Sequence, residues 1–155
     1  MTEPALHVPT LPQPVTLLLV TGDEEEVTVF LADAVKEHEG TETLDDFLNV
    51  HRRFFLVRRK SGHHALVRRS SVVLVRVDAE TPVVARRESE TMPAIDLVRV
   101  RLDTGTELDG VLSHVDPEGH DRLSDALNDK DDFFALEIAH GYVYINKEHV
   151  VSLSL

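Results

Sequence analysis

The chain has 155 residues, of which 42% are hydrophobic, and it carries a formal net charge of −12 at pH 7. This length and apolar content allow a packed core and exclude a disordered chain. The negative charge argues against a protein that coats nucleic acid with its whole surface. Because the chain contains no Cys, a disulfide framework, a thiolate nucleophile and a Cys-based zinc site are also excluded.

The first segment, residues 1–14, is predicted to be a flexible N-terminal tail. It has neither the basic start nor the long apolar run of a secretory signal. The apolar run LLLV at Leu17–Val20 is far too short to cross a bilayer. We therefore expect a cytoplasmic protein that does not associate with a membrane.

A short sequence motif, called the repeated word below, occurs twice: LDDFLN at Leu44–Asn49 returns as LSDALN at Leu123–Asn128, and an FF pair follows each copy. A shift of 79 residues aligns residues 44–76 with 123–155 without a gap, and the aligned identities include Gly62 with Gly141, Val72 with Val151, and Leu74 with Leu153. Upstream, a shift of 83 pairs Leu17 with Val100, Leu19 with Leu102, and Gly22 with Gly105. We predict repeat one at 15–77, a linker at 78–96 and repeat two at 97–155.

The periodicity of repeat two is typical of strands. LVRVRL alternates apolar and charged residues, DTGTE supplies a turn, and LDGVLSHV resumes an extended pattern. After the repeated word, FFALEI, YVYI and HVVSLSL predict three further strands. Each repeat is therefore predicted to hold five strands, with a short helical insert between strands two and three.

The repeated word itself is predicted to form a helix of about two turns. Leu44, Phe47 and Leu48 lie at positions that share one helix face, and Thr43 is suited to cap its start. Asn49 is suited to the left-handed conformation that ends a helix. A cation site formed by the Asp and Asn of the word is the alternative, but capping already explains both residue types.

The order of these elements resembles the small five-stranded barrel of SH3-like and Sm-like domains, with INKEHV at Ile145–Val150 as the helical turn between the last two strands. VRLDTGTELDGVL also resembles the opening strands of Sm-like proteins. The resemblance implies a mainly β fold of two tandem five-stranded barrels. The bacterial Sm-type RNA chaperone has a Tyr-Lys-His run before its last strand, whereas this chain has Glu148 where alignment on His149 requires the Lys.

A second resemblance is to an uncharacterised group of small bacterial proteins built on an R-L-S-D-x-L-N word with a late I-N-K. Here these words are Arg122–Asn128 and Ile145–Lys147. This resemblance implies no activity.

The charges are distributed very unevenly. Between His51 and Val77 there are seven Arg and one Lys and no acidic residue, whereas 97–155 has five basic and twelve acidic residues. We expect a partner- or polyanion-binding face formed by Arg52, Arg53, Arg58, Arg59, Lys60, Arg68 and Arg69. The alignment places Asp131, Asp132 and Glu137 at the positions of Arg52, Arg53 and Arg58, which predicts a complementary acidic face on repeat two.

Two functions are consistent with this pattern. The first is a non-catalytic protein–protein interaction or scaffolding module, whose opposite charges pair within the chain, head to tail between chains, or with a partner protein. The alternative is RNA or DNA binding through the arginine-rich face, although Phe54 and Phe55 are the only aromatic residues close by.

Enzymatic activity is not expected, because the chain has no phosphate loop, nucleophile elbow or zinc-protease motif. The cluster HVDPEGHD contains His114, Asp116 and His120, which are remote candidates for a metal site. A solvated acidic loop is the favoured interpretation, because no third and fourth ligand follow at a fixed spacing, so no metal, cofactor or small-molecule substrate is predicted.

Overall fold

The computed structural model describes residues 10–32, 42–78, 94–114 and 123–155. The strands are β1 (Thr10–Leu19), β2 (Glu24–Ala32), β3 (Phe54–Arg59), β4 (His64–Arg68), β5 (Val72–Asp78), β6 (Ala94–Leu102), β7 (Glu107–His114), β8 (Phe133–Ile138), β9 (Gly141–Asn146) and β10 (Val150–Ser154). Two short helices, α1 (Leu44–Asn49) and α2 (Leu123–Leu127), and two 3₁₀ turns, Arg69–Ser71 and Lys147–His149, complete the described elements. The prediction of a mainly β protein is confirmed.

All ten strands belong to one antiparallel sheet, in the order β10-β6-β7-β8-β9-β5-β1-β2-β3-β4. The fifth strand, β5, pairs with β1 on one side and with β9 on the other. Because both edges of β5 are occupied, it does not pair with β4 to close a cylinder, and the sheet stays open. The predicted pair of tandem barrels is therefore not confirmed.

The two halves of the sheet have the same strand order. In the N-terminal half (β1–β5) the order is β5-β1-β2-β3-β4, and in the C-terminal half (β6–β10) it is β10-β6-β7-β8-β9. The first hairpin of each half turns through a glycine with positive φ, 90° at Gly22 and 89° at Gly105. Only glycine adopts this conformation readily, which explains its presence at both turns.

Strand register corrects the sequence alignment near its end. Phe54 pairs with Arg68 across the β3–β4 hairpin, whereas Phe133 pairs with Asn146 across the β8–β9 hairpin. Phe54 and Phe133 are 79 residues apart, but their partners are 78 apart, because the β3–β4 turn holds one residue more. The aligned identities at Gly62/Gly141, Val72/Val151 and Leu74/Leu153 are consequently one residue out of register.

The two hydrophobic clusters of the core each include residues from both halves. The cluster under the N-terminal half contains Phe133 and Tyr144, and the cluster under the C-terminal half contains Val73 and Leu74. These four residues lie in or beside the paired strands β5 and β9. The halves therefore share their apolar interior across this junction.

Helix α1 has the predicted cap and buried face. Thr43 Oγ1 accepts a hydrogen bond from the Asp46 backbone N–H at 3.1 Å, and Asp46 Oδ2 accepts one from the Thr43 N–H at 3.0 Å. The buried side chains are those of Leu44, Phe47 and Leu48. The expected left-handed stop at Asn49 is wrong: Asn49 is the last helical residue, and the chain continues through an extended Val50 with φ of −66°. The Asn49 side chain instead forms a hydrogen bond with the backbone of Phe133 in the C-terminal half.

Candidate interaction surface at the junction of the halves

A cleft of about 720 Å³ lies where the N-terminal half meets the C-terminal half. We name it the arginine cleft. The segment after α1, the end of β4 and the first 3₁₀ turn form one wall. The residue before β8, the end of β9 and the second 3₁₀ turn form the other. Its lining residues are His51, Arg52, Arg53, Phe54, Arg68, Arg69 and Ser70 from the N-terminal half and Asp132, Asn146 and Glu148 from the C-terminal half.

The predicted basic face is divided between two places. Arg52, Arg53, Arg68 and Arg69 line the arginine cleft, whereas Arg58, Arg59 and Lys60 line a second cavity of about 430 Å³ beside β1 and β2. Strand β3 separates the two groups, since Arg53 precedes it and Arg58 is near its end. Five residues of extended chain span about 17 Å, at roughly 3.4 Å per residue.

Residues in the second cavity already have local partners. Arg59 Nε lies 3.5 Å from Glu25 Oε1, and Lys60 forms an ion pair with Glu26. The guanidinium of Arg58 lies 5.3 Å from the centre of the Phe30 ring. These contacts neutralise part of the positive charge there, which makes the arginine cleft the stronger candidate site.

Arg69 is a structural link between the two halves. Its Nε donates a hydrogen bond to the carbonyl oxygen of Leu48 at 2.8 Å, at the end of α1. Its Nη2 lies 2.7 Å from Asp132 Oδ2, as an ion pair without hydrogen-bond geometry, and its guanidinium lies 5.4 Å from the centre of the Phe133 ring. With only 12% of its side chain exposed, Arg69 holds the junction together and offers little surface to a partner.

Arg52 is also tied to the N-terminal half. Its Nη2 donates a hydrogen bond to the Phe47 carbonyl oxygen at 3.1 Å, and its guanidinium lies 4.2 Å from the centre of the Phe47 ring. Partial burial lowers the pKa of Arg52, the charge of Glu42 opposes that shift, and the neighbouring charge of Arg69 adds to it. Arg52 therefore brings positive charge to the cleft from a constrained position.

Arg53 and Arg68 present exposed guanidinium groups. Arg68 Nε donates a hydrogen bond to Ser71 Oγ at 2.9 Å, which orients this side chain. The guanidinium of Arg53 has no partner among the described residues, and its backbone carbonyl accepts a hydrogen bond from the Arg69 N–H at 2.7 Å. Phe54, between them in the lining, is 50% exposed. These three side chains, together with the strongly exposed His51, contribute to the accessible surface of the cleft.

The three predicted acidic residues differ in their contacts. Asp132 Oδ2 contacts Arg69 and also lies 4.0 Å from His51 Nδ1. Asp131 binds Asp129 through its own backbone N–H, at 2.9 Å, and Glu137 is exposed on β8. The structure therefore brings Asp132 to Arg69 instead of to its aligned counterpart Arg53.

Two asparagines at the junction have a function that sequence reasoning missed. Asn49 Oδ1 accepts a hydrogen bond from the Phe133 N–H at 2.8 Å, so the end of α1 is joined to the start of β8. Asn146, which is buried, donates through Nδ2 to the Val72 carbonyl oxygen at 3.0 Å. Both carried a signal in the sequence: the repeated word ends in Asn both times, and Asn146 is the Asn of the I-N-K motif at Ile145–Lys147.

His149 also joins the halves. Its Nδ1 lies 2.8 Å from Asp103 Oδ2 and its Nε2 lies 2.9 Å from the Ser70 carbonyl oxygen. Burial lowers the pKa of His149, but the bonds to Ser70 and Asp103, together with the charges of Asp103 and Glu148, outweigh this effect and raise it. Protonation makes both ring nitrogens donors, which satisfies both contacts at once.

The remote metal candidates receive no support from the described part of the chain. Asp116 and His120 lie outside the described residues, and His114 is the last residue of β7. Within the described residues, no group of three or more His, Asp or Glu is arranged to hold a metal ion. The helices in the same residues are all too short to cross a membrane.

Comparisons with protein-family models, with curated proteins and with solved structures find no match to this chain. The features of the molecule that bear on its function are the junction between the halves and the two edges of the sheet.

Proposed function

We propose that this protein is a non-catalytic protein–protein interaction or scaffolding module that docks acidic protein surfaces in its arginine cleft. The observation that carries the proposal is the exposure of the Arg53 and Arg68 guanidinium groups beside an exposed Phe54. An exposed aromatic ring flanked by Arg has the composition that protein interfaces favour. We further propose a cytoplasmic location for this module.

The architecture that we propose for the module is two tandem units of the SH3-like and Sm-like type, related to the small bacterial group with the R-L-S-D-x-L-N word. The support is the shared strand order of the two halves and the 3₁₀ turn before the last strand of each. The glycine turns at Gly22 and Gly105 are consistent with the same duplication. In this interpretation the two units have diverged mainly in charge.

A charge-reversal experiment tests the docking proposal. Arg53→Glu removes an exposed cation from the cleft, and Arg101→Glu makes the same change of net charge at an exposed position on β6. Fluorescence anisotropy with a labelled Glu- and Asp-rich peptide should show binding that falls as salt rises. We expect Arg53→Glu to weaken binding about tenfold and Arg101→Glu to leave it nearly unchanged. Equal affinities for the two variants, or no binding at low salt, would contradict the proposal.

Nucleic-acid binding is the second candidate, and the exposed Phe54 ring favours it, because an aromatic side chain among arginines can stack on an unpaired base. The same assay with labelled single-stranded RNA and DNA distinguishes the two candidates. If RNA or DNA binds and the acidic peptide does not, and Phe54→Ala weakens that binding, the nucleic-acid alternative replaces the docking proposal.

A further inference from the structure

The two outer strands of the sheet, β4 and β10, each have one unpaired edge among the described residues, and their counterparts are paired with each other inside the chain. β4 is the fourth strand of the N-terminal half and corresponds to β9, whereas β10 is the fifth strand of the C-terminal half and corresponds to β5. We propose that chains associate head to tail, with β10 of one copy pairing with β4 of the next in the geometry of the internal β5–β9 junction. This inference names a second copy of the chain as one partner of the interaction module proposed above, and in that respect it rests on that proposal.

The correspondence between the halves holds at the level of single hydrogen bonds. The Val20 N–H donates to the Ser71 carbonyl oxygen at 2.8 Å, and the Asp103 N–H donates to that of His149 at 2.9 Å. The Arg69 N–H donates to the Arg53 carbonyl oxygen at 2.7 Å, as the Lys147 N–H does to that of Asp132 at 2.8 Å. A surface that one half uses at the internal junction therefore has a counterpart of similar backbone shape on the other half.

Apolar side chains on the edge strand β4 and on its neighbour β3 are exposed where their counterparts are buried. Phe54 is 50% exposed, whereas the corresponding Phe133 is 2% exposed in the core beneath the N-terminal half. Leu66, in the middle of β4, is 67% exposed, whereas the corresponding Tyr144 on β9 is 3% exposed. The internal junction buries these positions on the C-terminal half, and the same positions on β3 and β4 are left uncovered.

The β10 edge shows the same difference. Val151 is 59% exposed, whereas its counterpart Val73 on β5 is fully buried among residues of the C-terminal half. Leu153 is half-buried, and its counterpart Val75 is also fully buried. Exposed apolar residues along an unpaired strand edge promote pairing with another chain, and here both edges have them.

The internal junction also specifies the register of the proposed contact. Val75 pairs with Tyr144 and Leu74 with Ile145. Transferred to the outer strands, these pairs place Leu153 opposite Leu66 and Ser152 opposite Val67. The contact joins two different surfaces, so it leaves a β4 edge and a β10 edge open at the two ends of any linear assembly.

Charge distinguishes the proposed contact from the internal one. Arg69 and Asp132, which form the internal ion pair, correspond to Lys147 and Arg53 respectively. In the proposed contact Lys147 of one chain faces Arg53 of the next, and these two positive charges repel each other at short range. At longer range the two halves attract, because residues 51–77 are basic and residues 97–155 are predominantly acidic. We therefore expect an association that is weaker than the internal junction and sensitive to substitution at Arg53.

Light scattering on the full chain tests the inference. Leu66→Asp introduces a charge at the β4 edge and Val151→Asp introduces one at the β10 edge, both at positions whose exposure spares the core. Leu97→Asp is the matched control, since Leu97 is also strongly exposed but lies on β6. We expect the wild type and the control to exceed monomer mass and each edge variant to be monomeric.

Mixing the two edge variants provides the sharper readout. The Leu66→Asp chain keeps its β10 edge and the Val151→Asp chain keeps its β4 edge, so an equimolar mixture should form a 1:1 dimer. A monomeric wild type at all concentrations, edge variants with wild-type mass, or a mixture that stays monomeric would each overturn the inference. Circular dichroism spectra that match the wild type establish that the variants are folded.

The variant Arg53→Asp separates this inference from the docking proposal. It places a carboxylate opposite Lys147 of the next chain and so reproduces the internal arrangement of Arg69 and Asp132. Self-association should then tighten about tenfold, although binding of the acidic peptide weakens. If self-association weakens instead, head-to-tail pairing in this register is wrong and the docking proposal is unaffected. If peptide binding is unchanged while self-association tightens, the docking proposal fails and the inference stands.

Discussion

The N-terminal and C-terminal halves share a backbone plan but differ at the positions where one half meets the other. Phe133, Asn146 and Asp132 on the C-terminal half are engaged by the N-terminal half, whereas their counterparts Phe54, Arg68 and Arg53 are exposed. The difference shows that burial at these positions depends on whether a second half lies against them. Substitutions at four residues of the junction, each compared with a counterpart or a control, test how much each residue contributes to stability. The four residues are Phe133, Asn146, Arg69 and His149.

The largest expected effect concerns the two phenylalanines that follow the repeated word. Phe133→Ala removes a buried ring and should lower the free energy of unfolding by about 3–5 kcal/mol, whereas Phe54→Ala should change it by less than about 1 kcal/mol. Urea denaturation measures both. The Leu66→Asp background keeps the chain monomeric, so that self-association does not contribute. Similar losses for the two variants would show that Phe54 is buried in solution.

The next effect is at Asn146 and its counterpart Arg68. Asn146→Ala leaves the buried Val72 carbonyl oxygen without its side-chain donor, so the free energy of unfolding should fall by about 1–3 kcal/mol. Arg68→Ala removes an exposed contact to Ser71 and should lower it by less than about 0.5 kcal/mol. Thermal unfolding followed by circular dichroism measures both, and a smaller loss for Asn146→Ala than for Arg68→Ala would contradict the assignment.

Arg69 and its counterpart Lys147 give the third comparison. Arg69→Ala breaks the bond to the Leu48 carbonyl oxygen and the contact with Asp132, and should lower the free energy of unfolding by about 1–2 kcal/mol. Lys147→Ala breaks a contact with Asp129 inside the C-terminal half and should lower it by less than about 1 kcal/mol.

Arg69→Lys is the control for this third comparison, because an ammonium group lacks the fork that reaches both Leu48 and Asp132. We expect Arg69→Lys to resemble Arg69→Ala in urea denaturation. Full retention of stability in Arg69→Lys would mean that charge alone suffices at this position.

The smallest effect is a dependence of stability on pH from His149. Because its pKa in the folded chain is raised above the ordinary value, its contribution is fully present below that ordinary pKa and is lost as pH rises through the raised one. In His149→Gln this part of the pH dependence should vanish, whereas His140→Gln, at an exposed turn, should keep it. Melting temperatures between pH 5 and 9 test this, and identical profiles for wild type and His149→Gln would disprove it.

Local chemistry was predictable from the sequence where neighbouring residues decide the conformation. Thr43 and Asp46 form a capping box because the cap needs only residues within one helical turn. The glycine turn at Gly105 and the alternating strand of 97–102 follow from equally local rules. The alignment of the two repeats is out of register only after the β3–β4 turn, because an ungapped comparison cannot detect a one-residue difference in turn length.

The candidate site was predictable only in part. A run of arginines with no acidic neighbours was visible in the sequence, and two of them, Arg53 and Arg68, are exposed in the cleft. The burial of the Arg69 side chain in the junction could not be predicted from the sequence, because its partners Leu48 and Asp132 are 21 and 63 residues away along the chain. Contacts of that range depend on how the halves are paired.

By itself the sequence determined that this protein is mainly β, that a mini-helix precedes each FF pair, with a capped start in the first copy, and that basic residues are concentrated in the first half. These features arise from periodicity, side-chain capping and composition, which act over a few neighbouring residues. Only the tertiary structure decided that β5 pairs with β9, that Phe133 is buried while Phe54 is exposed, and that β4 and β10 form the two edges of the sheet. Strand pairing joins residues far apart in the chain, and the burial of each side chain follows from the neighbour that this pairing supplies.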